Sequence, residues 1–332
     1  MTESIERPLG HEEVLRRLEA TAAGVAGGTE HRMAHAVVLA GPAGVGKYKT
    51  ALWWAGRLKC GERKACTGAT CPDCRQIAAG AHPDVTVVAP GPDDTGIYIE
   101  NIRDLIRLMA LRPVRPGPRI AIVREAQTLT PQAQSAMLKL LEEPPGFALL
   151  VLVTDNAAAL LPTIRSRCQL VRFGLLTSDE IRRILEAHGR EPQAAARLAA
   201  VSAGRAGRAL ALTPEMIEDR DGIVAAYEDM RAGARSDIDG LVLDLAERRK
   251  EGRPGLDALL EWQMRKVETS LGCEGDGGES DVLAPRLASA VSEDPAVLLE
   301  EASRTAWAIR ALERNGNPRL VIRELLLCVR DR

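Results

Sequence analysis

The chain has 332 residues with 44 Lys and Arg against 46 Asp and Glu, a formal net charge of −2 that argues against a nonspecific polycationic nucleic-acid binder. Its 45% hydrophobic and 27% charged residues suit a globular chain of two or three domains, and two Phe and three Tyr leave the cores to Leu, Ala, Val and Ile. No apolar run reaches the roughly 18–20 residues that span a bilayer, and the polar, acidic start MTESIERPLG is wrong for a secretory signal, so a cytoplasmic protein is expected.

The first strong signal along the chain is HAVVLAG (His35 to Gly41), a short β-prone run ending on glycine. Lys47 to Leu58 then reads as a helix. Between them GPAGVGKYKT (Gly41 to Thr50) has both glycines and the lysine of G-x-x-x-x-G-K-[ST], but Tyr48 stands where a small hydroxyl would ligate Mg²⁺. Strand, loop and helix come in the order a phosphate-binding loop needs. Gly41, Gly44, Gly46, Lys47 and Tyr48 therefore form a candidate nucleotide site with one misfit residue. The alternative is a glycine turn that never meets a nucleotide.

Four of the seven cysteines, Cys60, Cys66, Cys71 and Cys74, fall within fifteen residues, while Cys168, Cys273 and Cys328 are scattered. In a reducing compartment such a cluster points to a metal rather than to disulfides. Four thiolates at about 2.3 Å make a closed tetrahedral Zn²⁺ site with no open position, hence a structural one. It would staple a segment, about residues 60–74, that is poor in apolar side chains. Four free thiols or a C-x-x-C redox pair are the competing readings. His82 is a spare ligand or, more simply, shapes the turn before Pro83.

Strand-like runs follow at Asp84 to Pro90, Arg119 to Val123, Ala148 to Thr154 and Cys168 to Phe173, with helical stretches at Tyr98 to Leu111 and Thr130 to Glu143. In the second helix Thr130 is a plausible N-cap, Pro131 fits the first helical position, and Pro144-Pro145 stops it. Strands alternating with helices imply a parallel sheet covered on both faces. The third strand ends in IAIVREAQ, placing Arg124 and Glu125 where P-loop ATPases use an acidic pair on Mg²⁺ and water. A guanidinium 4 Å from a unit positive charge opposes it by about 4 kcal/mol at an effective dielectric of 20. Tyr48 and Arg124 together remove both protein ligands of the ion, so Mg²⁺-dependent hydrolysis is not expected. Nucleotide binding is still compatible, because Lys47 and the loop backbone suffice to meet phosphates.

After Phe173 the pattern is helical to Arg332, opening with TSDEIRRILEAHG and a cap at Thr177 or Ser178. The acidic, glycine-rich GCEGDGGESD (Gly272 to Asp281) reads as a mobile loop between helices.

Taken in order, HAVVLAGPAGVGK, the four cysteines, AHPDV, AQSAMLKLLEEPP and LLPTIRSRCQLVRF resemble the AAA+ clamp-loader subunits of bacterial DNA polymerase III, and most of all the delta-prime type. The resemblance is strong over roughly residues 8 to 215 and rests only on length and helicity beyond. It implies an α/β AAA+ module over 1–174, a P-loop parallel five-stranded sheet with a zinc-binding insertion. A small helical lid over 175–214 and an all-α collar over 215–332 would follow. Ser166-Arg167-Cys168 would mark an arginine finger, with Arg167 reaching the γ-phosphate held by a neighbouring motor subunit, a cation supplied in trans where charge develops. Thr154 takes the sensor-1 place and Arg208 the sensor-2 place. Without the resemblance, Arg167 reads as a surface salt bridge. Glu142 and Glu143 oppose the dipole at their helix C-terminus unless they meet cations, as at a subunit interface.

The gamma/tau relatives keep GK[ST] and an Asp-Glu pair on the third strand, and Tyr48 and Arg124 depart from both. The resemblance thus implies a stator subunit without ATPase of its own, carrying structural zinc and compatible with bound ATP or ADP. Its partners would be gamma/tau motor subunits and the delta subunit, together loading the beta sliding clamp onto primed DNA. An active gamma/tau-type ATPase and a zinc-dependent nucleic-acid-binding module are the alternatives. Lys139 and Arg103 lie on helices that could approach DNA, although a solvated helix face explains either.

Overall fold

The computed structural model describes residues 5–26, 34–60, 71–92, 94–234, 237–246, 253–272 and 283–330. Cys66, Cys273 and, apart from Gly272, the expected loop at 272–281 lie outside the described residues. The chain forms two compact units. The first comprises Met1–Leu176 with Gly204–Gly207, and the second Thr177–Ala203 with Arg208–Arg332.

In the first unit the elements are α1 (Glu12–Ala26), β1 (Ala36–Ala40), α2 (Lys47–Lys59), α3 (Pro72–Ala78), β2 (Val85–Val88), α4 (Ile99–Met109), β3 (Arg119–Val123), α5 (Pro131–Glu142), β4 (Ala148–Thr154), α6 (Pro162–Arg165) and β5 (Gln169–Arg172). The five strands make one parallel sheet in the order β2-β3-β4-β1-β5. Runs such as AVVLA and ALLVLVT show little polar alternation because both faces are covered, and every residue of β1, β3 and β4 is buried.

The period of two divides these strands between two cores. Val37, Leu39, Ile120, Ile122, Leu149 and Val151 pack with Trp54 and Leu58 of α2 and Leu15 of α1. Val38, Ala121, Val123, Leu150 and Leu152 face the other way, onto Ile102 and Leu105 of α4 and Met137 of α5. Each fully buried aliphatic side chain contributes on the order of 1.5–3 kcal/mol. The indole of Trp54 also donates to Leu18 O at 3.0 Å, tying α2 to α1.

The helix ends follow their residue chemistry. Thr130 caps α5 by accepting from Ala133 N–H, with Pro131 in the first turn as expected. β1 is first in sequence yet lies between β4 and β5, with Ala40 in register with Thr154. The glycine loop leaving β1 therefore emerges beside the end of β4, at the carboxyl edge where parallel α/β sheets hold ligands.

The second unit is helical throughout among the described residues, as the loss of strand signal after Phe173 requires. It contains α7 (Ser178–Ala187), α8 (Pro192–Val201), most of α9 (Ala206–Ala211), α10 (Pro214–Arg231), α11 (Ile238–Ala246), α12 (Arg253–Ser270), α13 (Ala284–Ala288), α14 (Pro295–Glu313) and α15 (Pro318–Arg330). Thr177 and Glu180 form a capping box on α7. Tyr227, Trp262, Leu259 and Leu326 fill the core of α10 to α15. Beside them runs a polar seam. Buried Lys266 pairs with Glu228 at 3.2 Å and Glu293 at 2.8 Å, while Arg231 reaches Glu301 at 3.0 Å. Burial alone raises the Glu293 carboxyl, but its hydrogen bonds to Lys266 and Arg231 hold it below the usual range.

Candidate functional site

The glycine loop has the backbone of a phosphate cradle. A Cβ on Gly41 would stand 2.2 Å from Phe173 O, so no larger residue fits where the loop leaves β1. Gly46, at φ 94°, turns the chain in the left-handed region into α2. Lys47 then enters the helix with its side chain only 4% exposed. Its Nζ donates to Gly41 O at 2.6 Å and Pro42 O at 2.5 Å, and it pairs with Asp155 Oδ1 at 2.8 Å. Two carbonyls of its own loop accept its protons and Asp155 supplies the counter-charge, so the lysine is satisfied by its own chain. Sequence reasoning missed Asp155. It follows Thr154 at the end of β4 and is brought to Lys47 only because β4 and β1 are neighbours.

The two departures from the Mg²⁺-binding pattern touch each other. The Arg124 guanidinium carbon lies 4.3 Å from the centroid of the Tyr48 ring, a cation–π contact. Arg124 thus turns toward the loop and not away from it, while its Nη2 is 3.9 Å from Glu125 Oε1. Glu125 itself sits at φ 51°, an unusual left-handed position for a non-glycine residue, where the turn after β3 begins. Buried Thr154 donates to Gln127 Oε1 at 3.0 Å, and the same oxygen accepts from Asp155 N–H at 3.2 Å. Gln127, a second residue the sequence did not single out, therefore ties the ends of β3 and β4 together. Within the second unit, Arg208 pairs with Glu261.

Three of the four clustered cysteines converge. The Sγ atoms of Cys60, Cys71 and Cys74 lie within 4.8 Å of one another and all three residues are buried, with Cys60 and Cys71 sulfurs 3.4 Å apart. Sulfurs around one tetrahedral zinc are about 3.8 Å apart, so the donor set and its spacing could hold a metal ion. The fourth candidate, Cys66, lies outside the described residues. His82 is used elsewhere: its Nδ1 accepts from Asp84 N–H at 3.0 Å and its Nε2 faces Asp73 Oδ1 at 3.5 Å. Burial lowers its pKa, favouring the neutral ring.

The residue before Cys60 makes a fully buried ion pair, Lys59 with Asp84 at 2.7 Å. Asp84 also accepts from the N–H groups of Val114 and Arg115, each at 2.8 Å. Burial alone would raise this carboxyl, but Lys59 and the two N–H groups hold it below the usual range. The AHPDV segment thus anchors the end of α2, and with it Cys60, to the start of β2.

Arg167 follows α6. Its Nη2 pairs with Glu142 Oε1 at 3.0 Å and its Nη1 donates to Thr163 O at 3.1 Å, with the side chain 37% exposed. The cation that Glu142 needs at the end of α5 is thus found within the chain. Burial pushes the Cys168 thiol up to about 11, so it stays protonated at neutral pH and packs against the core shared by α4 and α5. Lys139 and Arg103 are exposed on α5 and α4.

Residues 19–177 match the family model described as DNA polymerase III, delta subunit. The chain is 39% identical over 137 residues to DNA polymerase III subunit delta' of Pseudomonas aeruginosa, covering 41% of this chain and 42% of that protein. It is 32% identical over 199 residues to subunit delta' of Bacillus subtilis, covering 59% and 60%. Subunit tau of Escherichia coli is 32% identical over 203 residues, covering 58% of this chain and 31% of tau. The alignments thus span less than two thirds of each relative's length. Over that span they bear out the family read from the sequence, and the parallel five-stranded sheet is the one it implied.

Proposed function

We propose, from the kinship of residues 19–177 to delta-prime subunits of the DNA polymerase III clamp loader, that this chain is a stator of such a loader. It assembles with gamma/tau-type motor subunits and a delta subunit, and the complex places a sliding clamp on primed DNA in the cytoplasm. Residues 175–214 serve as a helical lid and 215–332 as the collar. Arg167 is offered in trans to the phosphates held by a neighbouring motor subunit. Cys60, Cys71 and Cys74, with Cys66, hold a structural Zn²⁺.

The observation that carries the stator reading is the Arg124–Tyr48 contact. A cation stacked on Tyr48, the residue after the phosphate-loop lysine, replaces two Mg²⁺ ligands of a hydrolytic site, so both departures act in one direction. The loop N–H groups and Lys47 remain compatible with ATP or ADP, but turnover is not expected, and Thr154 and Arg208 then have no hydrolysis to sense. The 32% identity to tau favours a second reading, an active gamma/tau-type ATPase. Steady-state ATP hydrolysis by the isolated chain separates the two. The stator reading expects no Mg²⁺-dependent turnover, and turnover abolished by Lys47→Ala would establish the second.

A further inference from the structure

We infer that Glu142 is a positioning residue for Arg167, so that α5 presents the cation offered to the neighbouring subunit. The inference rests on the trans reading of Arg167 and adds to it the group that orients the side chain. A free arginine on a surface samples many rotamers, and ordering one in the transition state costs conformational entropy. Here the guanidinium is gripped from two directions, by Glu142 at 3.0 Å and by Thr163 O at 3.1 Å. Thr163 O takes one of its five N–H groups and Glu142 pairs with the other terminal nitrogen, which among the described residues leaves donors for an incoming phosphate oxygen.

The ground under this grip is fixed. Gln134 of α5 is buried and donates to Leu129 O at 3.2 Å and Ala159 O at 3.1 Å, while its Oε1 accepts from Leu161 N–H at 2.7 Å. One amide thus clamps α5 to the segment that starts α6. The Arg167 N–H donates to the carbonyl of fully buried Ile164 at 3.1 Å. Backbone on both sides of the ion pair is therefore held, while the two charged side chains stay 37% and 51% exposed. Glu142 ends its helix where the dipole disfavours an acid, and Arg167 supplies the cation that offsets this. An exposed pair of this kind biases an equilibrium by about two- to fivefold. That is enough to orient Arg167 while its other donors meet the phosphate.

The test uses the full chain assembled with its motor subunits, reading kcat and KM for ATP. Glu142→Gln is expected to lower kcat about two- to fivefold, with KM and the yield of complex unchanged, and Glu142→Asp to retain more of kcat than the amide. In an Arg167→Ala background Glu142→Gln should have no further effect, which a merely structural role at the end of α5 would not predict. Full kcat in Glu142→Gln, where Arg167→Ala lowers it, would overturn the inference and leave the trans reading standing. An equal loss in both backgrounds would overturn it too. An Arg167→Ala complex with unchanged kcat would remove the trans reading and this inference with it.

Discussion

Lys47 and Arg167 belong to the same α/β unit, yet their surroundings differ. Lys47 is 4% exposed and engages Gly41 O, Pro42 O and Asp155. Arg167 is 37% exposed and engages Thr163 O and Glu142, keeping donors for others among the described residues. The loop that looks like an engine has its cation satisfied internally, and a second cation, Arg124, is stacked on Tyr48, the next residue. The segment with no catalytic look of its own carries the more available charge. A motif's residues therefore say less about function than whether their hydrogen-bonding capacity is already taken.

The largest expected effect falls on the exposed side of this contrast. Arg167→Ala should reduce ATP turnover of the assembled complex by on the order of 10³-fold, with size-exclusion profiles unchanged. The contrast breaks if turnover stays within a factor of two. A calibration comes from the buried pair Lys59–Asp84, which shows what an ion pair is worth when neither partner meets water. Asp84→Asn leaves a buried ammonium without its counter-charge and should cost about 3–5 kcal/mol in urea unfolding. Because folding depresses the Asp84 pKa, this stabilisation is complete above the unfolded value near 3.9 and is lost as pH falls through the lower folded value. The wild-type advantage over Asp84→Asn should therefore shrink only below about pH 4. An advantage already lost at pH 6 would assign it to another group.

The smallest effect is the stack between the two departures. A double-mutant cycle with Tyr48→Leu and Arg124→Gln should give a coupling of about 0.5–1 kcal/mol in the unfolding free energy. Additive losses would mean that the two side chains share the place without sharing energy.

Much of this was legible in the sequence because it is local. The continuous apolar, β-prone runs AVVLA and RIAIV, the cap at Thr130 with Pro131, and the glycines at 41 and 46 each fix structure through neighbours a few residues away. The partners of the charged residues were not. Asp155 reaches Lys47 because β1 inserts beside β4, a topological fact with no short-range signature. Tyr48 and Arg124 each read as a lost ligand, and only the fold shows that they meet. Glu142 needs a cation, for which a subunit interface is one source, and finds it 25 positions along its own chain. Sequence patterns register what a backbone segment can form, whereas a side chain's counter-ion depends on which segments the topology juxtaposes.

The most direct measurement of the central claim is a paired one: ATP turnover of the reconstituted complex containing this chain as Arg167→Ala or as Lys47→Ala. The account predicts that turnover collapses with Arg167→Ala and survives with Lys47→Ala, because the loop lysine is committed to Asp155 and its own loop while the exposed arginine serves a neighbour. The reverse pattern, with turnover lost on changing Lys47 and kept on changing Arg167, would contradict it.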